Sequence, residues 1–83
     1  MDVSTLKVAD SMKIFAKRLQ ELRKSKGLTQ RECAEKFNMT ANSYQRYEYG
    51  TRKPEIEKLM LVADYYDVSL DYLVGRSDNP ERS

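Results

Sequence analysis

The sequence predicts an all-α protein, a compact fold of five short helices in one small domain. Apolar residues recur at spacings of three and four along most of the chain, which is typical of helices with one buried face. Residues that begin or end helices stand between these segments. The 83 residues are 40% hydrophobic and 34% charged, a composition that fits a small globular domain. We expect the folded domain at 11–76, with an N-terminal extension at 1–10 and a C-terminal tail at 77–83.

The first helix is predicted at about 11–25. Phe15, Leu19 and Leu22 recur at helical spacing and are expected to face the core. The basic residues of this segment are expected to point largely outward: Lys13, Lys17, Arg18 and Lys24. Gly27 is suited to end the helix, because glycine adopts the left-handed conformation found at many helix C-termini.

The second helix is predicted at about 30–37. Thr29 and Glu32 have the spacing at which each side chain can bind the free backbone N–H of the other, so Thr29 is expected to cap the helix. Ala34 is small enough to let a neighbouring helix approach closely. The residues expected on the buried face are Cys33, Ala34 and Phe37.

The third helix is predicted at about 41–49, after a very short turn. Asn38 tolerates the left-handed conformation that ends a helix, and Thr40 is an N-cap candidate for the next one. Tyr44 and Tyr47 lie three residues apart and are expected to face inward. These features predict two short helices that cross at a tight turn.

The last two helices are predicted after Gly50, which ends the third. Pro54 is suited to the first turn of a fourth helix, because it lacks an N–H that would be unpaired there. This helix is expected to reach about residue 66, with an apolar stripe of Ile56, Leu59, Met60, Ala63 and Tyr66. Residues 68–72 alternate like a strand, but Ser69 as an N-cap favours a short fifth helix.

Several separate stretches of the chain match one known pattern: RLQELRKSKGLTQ at 18–30, the helix pair, YEYGTRKPEIEKL at 47–59 and LVADYYDVSLDYLVGR at 61–76. Together they resemble the helix-turn-helix domain of phage repressors and Cro proteins, the XRE-type family. The chain departs from the usual pattern at Asn38, where glycine is common, and at Cys33, where leucine is common. The resemblance implies a repressor that binds specific sequences of double-stranded DNA, with dimerisation of two copies around 68–76.

In such a domain the second helix of the pair lies in the major groove. We expect its outward residues to read bases: Ala41, Asn42, Gln45 and Arg46. Asparagine and glutamine can pair with adenine, arginine can pair with guanine, and an alanine methyl can contact thymine. The alternative is that these polar groups only solvate an exposed helix face.

Gln30 is our main candidate for a phosphate contact, because the resemblance places it where the family has a glutamine in that role. Weaker candidates are Thr40, Ser43, Arg52 and Lys53. Lys17 or Arg18 could also reach the DNA backbone from the first helix. Arg23 and Glu48 occupy the positions of a family ion pair and are expected to have a structural role.

Charge is distributed unevenly, although the net charge is only +2. Residues 1–54 hold twelve Lys and Arg against six acids, whereas residues 55–83 hold three against seven. A basic half that carries the helix pair suits a protein that turns one face to phosphates. Charged surfaces are common, so this feature supports DNA binding without deciding it.

The residue inventory argues against an enzyme. The chain has no histidine, only three glycines and a single cysteine, Cys33, which lacks the neighbours needed for a metal site. We therefore expect no metal and no cofactor.

No apolar run approaches the length of a membrane span and no secretory signal is visible, so the expected location is the cytoplasm. The rival function is a protein-interaction module, such as an antitoxin or a co-regulator.

Overall fold

The computed structural model describes residues 8–82, which contain five α-helices and no strand. The helices are α1 (Val8–Ser25), α2 (Gln30–Lys36), α3 (Ala41–Tyr49), α4 (Ile56–Tyr66) and α5 (Leu70–Val74). The predicted all-α class with five helices is confirmed. Most of the expected extension at 1–10 lies outside the described residues. Among those described, no helix has both the length and the apolar character needed to cross a membrane.

Three helices begin at the hydroxyl caps that the sequence predicts. Thr29 Oγ1 accepts from the Glu32 N–H at 3.1 Å, and Glu32 Oε1 accepts from the Thr29 N–H at 2.9 Å. Thr40 and Ser69 cap α3 and α5 in the same way, each accepting from the N–H three residues later. These bonds satisfy backbone donors that would otherwise be free at a helix start. The predicted capping is confirmed at all three positions.

Left-handed residues end the helices and turn the chain. Gly50 ends α3 with a φ of 74°, and Asn38 has a φ of 56° in the turn between α2 and α3. Both were expected from the sequence. Asp67 also adopts a φ of 54° and ends α4, a position that the sequence reasoning did not identify. Aspartate tolerates this conformation better than most residues because its short polar side chain can bind nearby backbone groups.

The core lies where α1 packs on α3 and α5, and where α2 packs on α3. Tyr44 and Tyr47 are buried, as predicted, and each ring lies near a phenylalanine. Cys33 is also buried, with its Sγ 3.4 Å from the Tyr66 hydroxyl. The largest fully buried side chains are Tyr44, Tyr47, Phe15, Phe37, Leu19, Leu73, Val62 and Cys33. The aromatic residues of α3 therefore anchor that helix in the core.

Two helix starts differ from the sequence prediction. α1 begins at Val8, three residues before the expected start, and α4 begins at Ile56 rather than at Pro54. Glu55 occupies the N-cap position of α4, but its side chain makes no capping hydrogen bond. Pro54 therefore precedes α4 instead of forming its first turn.

The predicted apolar stripe of α4 was wrong at two residues. Ile56 is 67% exposed and Met60 is 52% exposed, whereas Val62 is buried. Met60 lies about 100° around the helix from Leu59, so it falls beside the buried face rather than on it. The first turn of α4, which contains Ile56, stays outside the core. This leaves apolar side chains on the surface of the α4 and α5 region.

Arg18 faces inward, which corrects the expectation that it points outward. Only 15% of its side chain is exposed, and its guanidinium lies 4.1 Å from the centre of the Tyr72 ring. It donates hydrogen bonds to the backbone oxygens of Tyr72 and Ser77 and to the Asp78 carboxylate. Arg18 therefore connects α1 to the segment after α5.

Candidate nucleic-acid interface

The two helices α2 and α3 are joined by a turn of four residues, 37–40. The Met39 N–H donates to the Ala34 carbonyl at 2.9 Å, which closes the end of α2. Ala34 is buried where α2 meets α3, and its methyl group leaves room for the close crossing. The small side chain, the left-handed Asn38 and the Thr40 cap together set the angle between the helices.

One face of α3 points away from the core and carries the predicted base-reading residues. Asn42 and Arg46 are exposed, while Ala41 and Gln45 are half-buried. The buried Tyr44 and the neighbouring Tyr47 hold the opposite face in the core, so α3 presents this outer face as part of a fixed surface.

An ion pair joins α1 to the end of α3. Arg23 Nε donates to Glu48 Oε2 at 2.7 Å, and Arg23 Nη2 donates to Glu48 Oε1 at 3.2 Å. Burial would raise the pKa of Glu48, but interactions with Arg23, Tyr44 and Gln30 outweigh it and hold the pKa below its ordinary value. The hydrogen bond to Glu48 also raises the pKa of Arg23. Glu48 is therefore a buried carboxylate that stays charged near neutral pH.

The Gln30 side chain is half-buried, and both ends of its carboxamide are hydrogen-bonded within the protein. Its Nε2 donates to Glu48 Oε1 at 3.0 Å, and its Oε1 accepts from Gln45 Nε2 at 3.1 Å. The structure thus brings Gln30, Gln45 and the Arg23–Glu48 pair into one hydrogen-bonded network. Sequence reasoning missed this network, since the partners lie 15 and 18 residues apart and nothing in the sequence signals their pairing.

Three of the weaker phosphate candidates lie together near the start of α3. The Thr40 hydroxyl donates to Ser43 Oγ at 3.0 Å, and Arg52 Nη1 donates to the same oxygen at 3.1 Å. Arg52 also pairs with Glu55 at 3.1 Å. Lys53 is exposed outside this cluster, beside a cleft between α1 and α4. The cluster and Lys53 give this edge of the molecule positive charge and hydroxyl donors.

The charge asymmetry of the sequence follows the helices. Residues 8–54, which contain α1, α2 and α3, hold eleven Lys and Arg against five acids. Residues 55–82, which contain α4 and α5, hold three against seven. The basic part of the chain is therefore the part that carries the helix pair, as a surface for an anionic partner requires.

Known proteins are similar to this chain in sequence. The uncharacterized HTH-type transcriptional regulator YobD of Bacillus subtilis (strain 168) is 41% identical over 68 residues, which cover 82% of this chain and 61% of YobD. The HTH-type transcriptional regulator ImmR of the same organism is 42% identical over 64 residues, which cover 77% of this chain and 50% of ImmR. The chain thus spans about half to three fifths of the length of these relatives.

A solved structure is also similar. A transcriptional regulator from Listeria innocua matches with a TM-score of 0.70 and 41% sequence identity, over 74% of this chain and 57% of that one. The family model described as helix-turn-helix matches residues 19–73, which include the whole network around Glu48 and the outer face of α3. On these grounds the chain belongs to the XRE-type helix-turn-helix family.

Proposed function

We propose that this chain is the DNA-binding domain of a transcriptional regulator that reads specific sequences of double-stranded DNA with α3. The observation that carries the proposal is the placement of Asn42 and Arg46, exposed on a helix whose other face is anchored by Tyr44 and Tyr47. A helix held in this way can enter the major groove without losing its orientation. The family membership of the chain supports the same function.

Base reading is assigned to the four outward residues of α3. Asn42 and Gln45 each carry a carboxamide that can pair with adenine, and Arg46 can donate two hydrogen bonds to guanine. The Ala41 methyl can contact the methyl group of thymine. Each good bidentate pair discriminates against a wrong base by about 1–3 kcal/mol.

Phosphate binding is assigned to the residues that border α3. Arg52 and Lys53 supply positive charge, and the hydroxyls of Thr40 and Ser43 lie at the start of α3. Gln30 retains a second amide hydrogen beyond the one that it gives to Glu48. Contacts of this kind fix the register of the domain on the duplex without reading its sequence.

A homodimer is the proposed active form. One domain contacts few base pairs, and two copies related by a two-fold axis can read half-sites about one helical turn apart. Apolar side chains are exposed in the α4 and α5 region, where a second copy would cover them: Ile56, Met60, Leu61 and Leu70. Leu70 lies within residues 68–76, the region expected to pair, and the other three residues lie on the preceding helix, α4.

Repression is the proposed outcome of binding, because the chain resembles the helix-turn-helix domain of phage repressors. The same exposed apolar surface supports a second candidate, an antitoxin or co-regulator that acts mainly by holding another protein. The two functions differ in what the outer face of α3 does. A regulator needs Asn42 and Arg46, whereas a protein-holding module does not.

The decisive experiment is a selection of bound duplexes from a random pool, followed by titration of the selected sequence at several salt concentrations. Arg46→Ala should weaken binding at least about fivefold, as expected for loss of a base contact. Lys36→Ala is a matched control that removes one positive charge from the exposed end of α2, at a residue assigned neither to DNA contact nor to dimerisation. It should leave affinity nearly unchanged.

Salt provides an independent test of the phosphate contacts. Affinity for the selected duplex should fall steeply as salt rises, since each phosphate contact releases bound counterions. The DNA-binding proposal is wrong if no sequence is enriched, or if Arg46→Ala and Lys36→Ala bind equally well. The protein-holding function would then be the better account.

A further inference from the structure

A chain of hydrogen bonds leads from the buried ion pair to the outer face of α3. Arg23 Nε donates to Glu48 Oε2 at 2.7 Å, and Gln30 Nε2 donates to Glu48 Oε1 at 3.0 Å. Gln45 Nε2 then donates to Gln30 Oε1 at 3.1 Å. The chain joins α1, α2 and α3, and it ends on a residue assigned to base reading.

The charge on Glu48 fixes the direction of every bond in this chain. An ionised carboxylate only accepts hydrogen bonds, so Gln30 must turn its NH₂ group toward Glu48. Turning the Gln30 amide around would place its oxygen against a carboxylate oxygen. The Gln30 oxygen therefore faces Gln45, and Gln45 must donate a hydrogen bond to it from its own NH₂ group.

These bonds also determine which atoms of the Gln45 carboxamide point away from the protein. Its Oε1 makes no hydrogen bond to any residue of the described segment 8–82, and its Nε2 keeps a second hydrogen. We propose that the Arg23–Glu48 pair, acting through Gln30, holds the Gln45 carboxamide in one orientation, with its oxygen presented to the base. This inference rests on the proposed function, because it concerns how the same α3 surface chooses a base.

The fixed orientation selects a class of base. In the major groove, adenine and cytosine present an amino group that the Gln45 oxygen can accept from, and adenine also offers N7 to the remaining N–H. Guanine and thymine present acceptor oxygens to the same region. Gln45 therefore favours adenine, then cytosine, over guanine and thymine. A glutamine free to turn its amide around would lose this discrimination, because its NH₂ group could then face guanine or thymine.

The test compares duplexes selected from a random pool by the unmodified chain and by three variants. Gln45→Ala locates the base pair that Gln45 reads, as the position where preference disappears. Gln30→Met keeps the length of the side chain but removes both of its hydrogen bonds. It should raise the relative affinity for guanine or thymine at that position by about fivefold or more, with preferences elsewhere retained.

Gln20→Met is the matched control. Gln20 Nε2 also donates to Glu48, but to its backbone carbonyl, at 2.8 Å. The substitution therefore removes a glutamine bonded to the same residue while leaving the carboxylate chain intact. It should not alter the selected base. A change seen only with Gln30→Met would therefore come from loss of the hydrogen-bond chain through Gln30, and not from a general loosening of α3.

A second measurement needs no DNA. The side-chain amide NMR signals of Gln45 should move in Gln30→Met and stay in place in Gln20→Met, because only the first removes the acceptor of Gln45. Thermal melting monitors the fold of each variant. Gln30→Ala, which keeps the Thr29 cap and favours helix, provides a second way to break the hydrogen-bond chain should Gln30→Met fold poorly.

Three results would overturn the inference. The unmodified chain could prefer guanine or thymine at the Gln45 position, or Gln30→Met could leave the base preference unchanged. Gln30→Met could also weaken all sequences equally, which would make Gln30 a phosphate contact alone. If the unmodified chain selects no sequence, the proposed function itself fails, and this outcome is distinct from selection that is indifferent to Gln30.

Discussion

Glu48 is buried more deeply than Arg23, the residue that neutralises it: 1% of the Glu48 side chain and 14% of the Arg23 side chain reach solvent. The carboxylate therefore depends on its partners, because water cannot stabilise it when they are removed. Arg23 also donates to the Leu28 carbonyl at 2.9 Å, so one guanidinium serves both the carboxylate and the loop after α1.

Arg23→Met should destabilise the fold by about 3–5 kcal/mol, the usual cost of leaving a buried charge without its partner. Urea unfolding of the single variants and of Arg23→Met with Glu48→Met would measure this. The double variant should lose clearly less stability than the two single losses added together, because it leaves no unpaired charge. Additive losses would mean that the two side chains do not depend on each other.

Stability should fall in acid partly through Glu48. Its pKa in the folded state is lower than the ordinary value of 4.5, so its contribution is fully present above pH 4.5. The contribution is lost as the pH falls through the folded-state pKa, where the native carboxylate takes up a proton. In Glu48→Gln, the free energy of unfolding should depend less steeply on pH below 4.5. An unchanged slope would show that other carboxylates account for the acid sensitivity.

Ala34→Leu should separate α2 from α3, because there is no room for a larger side chain at their crossing. Overpacking of this kind costs about 1–3 kcal/mol. Glu35→Leu is the matched control, since Glu35 is the exposed neighbour on the same helix and its replacement should change stability by only about 0.5 kcal/mol or less. Chemical unfolding of both variants measures the difference. Equal stabilities would contradict the close helix crossing.

Gly75→Ala should cost more stability than Gly27→Ala. Both glycines have a positive φ, 85° and 68°, so both substitutions strain the backbone by about 1–2 kcal/mol. A methyl group at Gly75 would also lie 2.5 Å from Ile14 Cδ1, whereas one at Gly27 would meet no atom within 4 Å. Adding Ile14→Ala to Gly75→Ala should cost less than the sum of the two single losses. Thermal unfolding would test both comparisons.

Arg18→Met should loosen the segment after α5. Arg18 binds Ser77 and Asp78, and the same segment accepts a hydrogen bond from the Ser69 N–H through the Pro80 carbonyl at 2.9 Å. Hydrogen exchange at the Ser69 amide should therefore become faster in Arg18→Met. Lys17→Met, an exposed neighbour on α1, should leave the exchange rate unchanged. Equal protection in both variants would show that Arg18 does not hold this segment.

Local chemistry made most of the fold predictable. The hydroxyls of Thr29, Thr40 and Ser69 and the left-handed Gly50 mark helix ends through bonds that span three or four residues, so the sequence alone contains the partners. The burial of Tyr44 and of the neighbouring Tyr47 followed from helical spacing in the same way. These features depend on near neighbours in the chain.

The errors came from contacts between distant segments. Periodicity gives the spacing of an apolar face but not its limits, which is why Ile56 and Met60 were wrongly placed in the core. In the sequence, Arg18 looks like any basic surface residue, because the backbone oxygens of Tyr72 and Ser77 lie near it only in the folded chain. The carboxamides of Gln30 and Gln45 meet only once two helices are folded together. Whether the assigned residues touch DNA stays a prediction.

The opposite charges of the two parts of the chain make the domain an electric dipole. Near a polyanion, the electric field of the polyanion orients the domain. The part containing α1, α2 and α3 then faces the polyanion before any side chain makes contact. A larger fraction of collisions then begins in a usable orientation. The acidic residues of α4 and α5, none of which is assigned a contact with DNA, are therefore expected to affect how fast complexes form more than how long they last.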